Sequence, residues 1–213
     1  MSTCKIICVS SRKLAEDFPA QLARVARAGV DGIILREKDL DEAEYEELAA
    51  QVKAICGKYG VPLTLHTYGA AALRLGIRRL HLPLRMLLAM EEAEKRNFDV
   101  LGASIHAPEE AVAAEAAGAA YVTAGHIFAT DCKKGLSPRG IPFLKEVCKA
   151  VHIPVYAIGG ITLQNAPLCS EAGAAGVCLM SSLMHASEEE LLDLVSNCKK
   201  NSAKMSIAGR RKL

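Results

Sequence analysis

Short apolar runs rich in Val, Ile and Leu recur along the chain at 5–9, 32–36, 62–66, 79–82, 100–105, 119–124, 154–158 and 176–180. Each has the length of a buried strand, and stretches of helical period separate them. Leu14, Phe18, Leu22 and Val25 make one predicted helix face, and Tyr45, Leu48, Val52, Ile55 and Tyr59 make another. Asp41 with Glu44, and Ser187 with Glu190, have capping-box spacing, and Pro108 stands where a first-turn proline belongs. One phrase recurs: Ala28-Gly29-Val30, Leu75-Gly76-Ile77, Ala117-Gly118-Ala119 and Ala172-Gly173-Ala174 each read as a glycine-capped helix end followed by a strand.

This alternation predicts an α/β protein, a (β/α)8 TIM barrel with short loops. A doubly wound open sheet is the competing fold, but no Gly-rich fingerprint follows an early strand. Residues 1–200 are expected to form one barrel domain, and 201–213 a polar, basic C-terminal tail. The chain has 213 residues, of which 51% are hydrophobic and 4% aromatic, so Ala, Val, Ile and Leu must fill the core. A net charge of +2 argues against a dedicated nucleic-acid protein. The first residues do not read as a signal peptide, and no apolar run reaches the ~18 residues of a membrane span. A cytoplasmic protein without membrane contact is expected, its eight cysteines read as thiols.

In a barrel, chemistry gathers at the C-terminal strand ends. There the chain places Arg36-Glu37-Lys38-Asp39, His66-Thr67, His81-Leu82-Pro83, Ser104-Ile105-His106, Gly125-His126, Gly159-Gly160 and Met180-Ser181. The side-chain-free amides of Gly159 and Gly160 can approach a phosphate, with Met180 and Ser181 opening the next loop; a simple turn is the alternative. Arg36 and Lys38 share a face at period two and suit an anion, unless Glu37 or Asp39 absorbs them in an ion network. His126 can give and take a proton near neutral pH, and its loop adds Thr130, Lys133 and Lys134. A structural histidine is the alternative. Cys132 reads as a bland thiol rather than a nucleophile. His66, His81, His106 and His126 lack companion ligands at metal-site spacing, so no metal is expected.

With Ala157-Ile158-Gly159-Gly160-Ile161 and the segment Gly125 to Gly135, these motifs resemble the thiamine phosphate synthase and thiazole tautomerase (TenI-type) superfamily, in order from about residue 5 to residue 198. The synthase pattern has Asn-Asp where this chain has His66-Thr67, an acidic residue where it has Leu84-Arg85, and Gly-Pro where it has Gly125-His126. These departures remove oxygen ligands suited to Mg²⁺. The resemblance therefore implies the tautomerase branch: an isomerase aromatising a thiazole carboxylate phosphate, without cofactor. His126 would relay the proton. Gly159, Gly160, Met180 and Ser181 would bind phosphate, and Arg36, Lys38, Ser104, Thr130 and Lys133 would bind the rest of the substrate. The implied partner is the small-molecule thiazole phosphate, and a homo-oligomer is compatible with the sequence. A divergent Mg²⁺-dependent thiamine phosphate synthase and a non-catalytic phosphate-ligand-binding regulator are the alternatives.

Overall fold

The computed structural model describes residues 4–130 and 135–209. Eight parallel strands close into a barrel in sequence order: β1 (Lys5–Val9), β2 (Gly32–Leu35), β3 (Leu63–His66), β4 (Arg79–Pro83), β5 (Val100–Ile105), β6 (Tyr121–Gly125), β7 (Val155–Ile158) and β8 (Gly176–Leu179). β8 closes on β1 with Ile7 opposite Cys178. Around the barrel lie α1 (Phe18–Arg27), α2 (Glu42–Tyr59), α3 (Gly69–Arg74), α4 (Leu84–Ala89), α5 (Glu92–Lys95), α6 (Pro108–Ala116), α7 (Gly140–Ala150), α8 (Ala166–Glu171), α9 (Ser181–Met184) and α10 (Glu188–Gly209). The expected (β/α)8 barrel is therefore present. α10 carries helical backbone into the segment expected to be a tail; residues 210–213 lie outside the described residues.

Local chemistry accounts for the element ends. The Asp41 carboxylate accepts from the Glu44 amide at 2.9 Å, and the Glu44 side chain accepts from the Asp41 amide at 3.1 Å, completing the predicted capping box. Ser187 and Glu190 repeat it. Two details differ from expectation. Leu14 sits in a 3-10 turn before α1, not in the helix. The buried face of α2 is Tyr45, Ala49, Val52 and Cys56, because small residues let the helix approach the sheet closely. Leu48, Ile55 and Tyr59 flank that face, half-buried.

Strand side chains alternate between two cores. Ile6, Cys8, Ile33, Leu35, Leu65, Leu80, Leu82, Val122, Val177 and Leu179 face outward into the layer beneath the helices. Val9, Ile34, Tyr156 and Cys178, with Ile7, Ile158 and Met180, fill the barrel interior on the β7, β8, β1 and β2 side. The inward positions of β3 to β6 are different in kind: Thr64, His66, His81, Ser104 and Thr123 make the other half of the interior polar. This asymmetry decides where chemistry can occur.

Among the described residues no helix is long and apolar enough to cross a membrane. All seven described cysteines are free thiols, and burial raises several of them, Cys8 to about 12. Cys132 lies outside the described residues.

Candidate active site

Tyr45 reaches from α2 between the ends of β2 and β3. Its hydroxyl donates to the Leu35 carbonyl at 2.6 Å and accepts from the His66 amide at 2.9 Å. This fixes where β2 hands over to Arg36 and where β3 ends in His66-Thr67. Ser10, at the end of β1, adds a second fastening: its hydroxyl donates to Glu37 at 2.7 Å and accepts from the Arg36 amide at 2.8 Å. The buried Glu37 carboxylate also accepts from the Arg12 amide. Asp39 pairs with Arg12 and Lys13, and the Lys13 bond is the main reason its pKa is lowered. Both acidic neighbours thus serve the β1–β2 loops. Arg36 is half-buried and Lys38 exposed at the mouth.

His66 lies close to both cations. Burial, then the charges of Arg36 and Lys38, push its imidazole down to about 3. Burial, then His66 and Arg36, push His81 down to about 3. The two rings are 5.7 Å apart between centroids. Both are therefore neutral in the fold, whereas in the unfolded chain they protonate near 6.5. Between about pH 3 and 6.5 the unfolded state binds more protons, so stability present above that window is lost as pH falls through it. Urea unfolding is expected to show a loss of about 1.4 kcal/mol per pH unit for each histidine below about pH 6. His66→Gln should flatten the slope; a wild-type stability that does not change with pH in this range would contradict neutral burial.

Thr67 has φ 75°, a left-handed conformation that costs a β-branched residue about 1–3 kcal/mol. Its amide donates to the His81 carbonyl at 3.0 Å, and its hydroxyl lies 2.6 Å from His66 Nδ1. The sequence marked Thr67 only as part of a strand end and Tyr45 only as a helix-face residue; no sequence signal gave their roles here, or that of Tyr121. The hydroxyls Thr64 and Thr123 at inward strand positions were legible in principle, through alternation alone.

Loops six and seven are built against each other. The Ile127 and Phe128 amides donate to the Ile158 and Gly159 carbonyls, both at 3.0 Å, extending the β6–β7 pairing. Gly159 (φ 98°) packs against His126, and Gly160 (φ 65°) against the Phe128 and Ala129 carbonyls; a Cβ at either would collide. Their bareness therefore serves this packing as well as any ligand. The Gly160 carbonyl accepts from Asn165 Nδ2 at 2.9 Å. Met180 packs on the interior apolar cluster, and Ser181 is exposed at the start of α9.

His126 is 6% exposed. Its Nε2 lies 3.3 Å from the Leu136 carbonyl and donates to it, while Nδ1 is buried and without a partner among the described residues. The His126 carbonyl accepts from the Arg139 amide. His106 is tied down by Nδ1 to the Gly125 carbonyl at 2.9 Å and by its amide to Glu110. Ser104 is half-buried at the end of β5, and Thr130 is half-buried too. Lys133 and Lys134 lie outside the described residues. A surface groove between α5 and the Gly118 turn opens at the opposite, N-terminal end of the barrel, remote from these groups.

No group of three His, Cys, Asp or Glu among the described residues could hold a metal ion. Where Mg²⁺ would want hard oxygen ligands, the mouth offers imidazoles and cations. The donor set of the described residues does not fit that ion; Asp131 lies outside them.

The comparisons correct one expectation. The Streptococcus pneumoniae (serotype 4) protein named thiamine-phosphate synthase 2 is 36% identical over 180 residues, 82% of this chain and 84% of that protein. The Clostridium tetani thiamine-phosphate synthase is 31% identical over 85% of this chain and 88% of its own. In structure, the thiamine phosphate pyrophosphorylase from Pyrococcus furiosus superposes with a TM-score of 0.79 at 25% identity, covering 94% of this chain and 96% of that one. These relatives are named for a transferase, which overturns the isomerase assignment. The motif behind that assignment has a structural use: the His126 ring is tied to the Leu136 carbonyl, and the His126 Cβ and backbone pack on Gly159. The family model described as thiamine monophosphate synthase matches residues 4–183, and the chain belongs to that family.

Proposed function

We propose that the protein is a transferase of the thiamine-phosphate synthase kind, joining a pyrimidine pyrophosphate to a thiazole phosphate. Family membership and the names of the relatives support this reading. The observation that carries it within the site is the positive potential at the mouth, where Arg36 and Lys38 lie close enough to His66 to help hold its imidazole neutral.

The thiazole nitrogen forms the new C–N bond to the methylene carbon of the pyrimidine. The C–O bond to pyrophosphate breaks, and the electron pair leaves with pyrophosphate. No proton moves in this step, so the chemistry depends on charge stabilisation and positioning. Arg36 and Lys38 would face the departing pyrophosphate. Amides of the Gly159-Gly160 and Met180-Ser181 loops would hold the thiazole phosphate. Ser104, Thr130 and Lys133 would contact the rings and their substituents. His126 would offer Nδ1 as a hydrogen-bond acceptor beside the reacting ring rather than as a general base. No step is assigned to a metal, because the donor set of the described residues does not fit Mg²⁺.

Pyrophosphate release in the presence of both substrates tests the reading. Release that requires both is expected; its absence, with either substrate omitted or not, would overturn it. The lack of a three-ligand metal cluster among the described residues favours one second reading, a phosphate-ligand-binding regulator. Thiazole phosphate binding without release would support that one.

A further inference from the structure

The polar half of the barrel interior contains a chain of hydrogen bonds that ends at the mouth. The Tyr121 hydroxyl lies 3.0 Å from His81 Nδ1, and His81 Nε2 lies 2.8 Å from Ser104 Oγ. The Thr123 hydroxyl donates to Ser104 Oγ at 3.3 Å. His81 is 2% exposed, and its ring stacks on Tyr121 at 5.5 Å between centroids. Every group here is buried except Tyr121 and Ser104, which are partly so. Of these, Ser104 stands at the C-terminal end of its strand.

Two directions are available to the chain. In one, the phenol donates to Nδ1, and the Nε2 proton goes to Ser104. In the other, Nδ1–H donates to the phenol, and Ser104 donates to Nε2. Chemistry separates them. A phenol is a stronger acid than an aliphatic alcohol, so it is the better donor to an imidazole nitrogen; the serine oxygen is the more basic acceptor. The first direction makes the better bond at both ends. It also lets Ser104 Oγ accept from both His81 and Thr123, whose hydroxyl oxygen lies 3.4 Å from His81 Nε2 as well, and leaves the Ser104 hydroxyl proton to point elsewhere.

We propose that His81 is a positioning residue, held as the Nε2–H tautomer by Tyr121, that turns the Ser104 hydroxyl proton out into the barrel mouth. Ser104 is then a committed donor. It selects a ligand that presents an acceptor at this point, such as a bare ring nitrogen or an anionic oxygen, and disfavours one that presents N–H or O–H. The identity of the site as a ligand pocket rests on the proposed function; the tautomer does not.

Long-range ¹H–¹⁵N correlation on uniformly labelled, ligand-free protein reads the tautomer directly, with the His81 signals assigned by their loss in His81→Gln. A proton on Nε2 and none on Nδ1 at neutral pH is expected; a proton on Nδ1 would overturn the proposal whatever the enzyme does. Tyr121→Phe keeps the ring and removes the donor. It is expected to weaken thiazole phosphate binding about tenfold, and less than about twofold in a Ser104→Ala background, because its effect runs through that hydroxyl. Inorganic phosphate binding should be unchanged in all variants. Equal losses from Tyr121→Phe in both backgrounds would leave His81 a packing residue and reject the positioning role.

Discussion

Replacing Arg36 by Ala is expected to lower kcat/KM for coupling about 10²–10³-fold, the usual effect of removing one preorganised charge-stabilising group from a reacting centre. The same substitution should raise the His66 pKa, because the Arg36 charge is one of the causes that depress it. The second effect is independent of turnover and can be followed by NMR titration of the imidazole. The fold should tolerate the change. The Arg36 amide, not its side chain, makes the bond to Ser10, and the neighbouring Glu37 remains bound to Ser10 and Arg12. A variant with full coupling activity would contradict the placement of the leaving pyrophosphate. A His66 pKa that does not rise would contradict the closeness of the two groups.

Gly159→Ala is expected to be a severely damaging small substitution in the site. Gly159 has φ 98°, and an added Cβ would meet the Cβ and backbone of His126. Positive φ and a backbone collision together should destabilise the fold by about 2–3 kcal/mol. The loss should reach function even where the protein stays folded. The Gly159 carbonyl accepts from the Phe128 amide, so displacing Gly159 moves both loops that are proposed to frame the phosphate. Thermal unfolding and a phosphate-ligand titration measure the two parts separately. Wild-type stability together with wild-type affinity would show that the contact between loops six and seven is looser than described.

The barrel was legible in the sequence because each of its strands is a short Val-, Ile- or Leu-rich run closed by turn chemistry. Gly29, Gly76, Gly118 and Gly173 all adopt the positive φ that the recurring phrase predicted. On the α2 face Tyr45 and Val52 were read correctly, but Leu48 and Ile55 were chosen over their neighbours Ala49 and Cys56 because they are more hydrophobic, while closeness to the sheet favours the smaller pair. The site was legible only as a set of strand ends. That Glu37 and Asp39 turn toward Ser10, Arg12 and Lys13 depends on residues about 25 positions away. The strained Thr67 and the Tyr121–His81–Ser104 chain likewise arise from barrel closure, which no local window contains. His126 attracted a proton-transfer role because an imidazole near a cationic loop suits one; the structure adds its bond to Leu136, and the relatives add their transferase names.

The most direct test of the account is the identity of the product. The protein is incubated with thiazole phosphate and pyrimidine pyrophosphate together, and with each alone, and the organic species are identified by mass spectrometry and NMR. The account predicts one new species containing both rings, formed only from the mixture and in step with pyrophosphate. A thiazole compound altered on its own, with no coupled species, would contradict it and return the chain to proton-transfer chemistry.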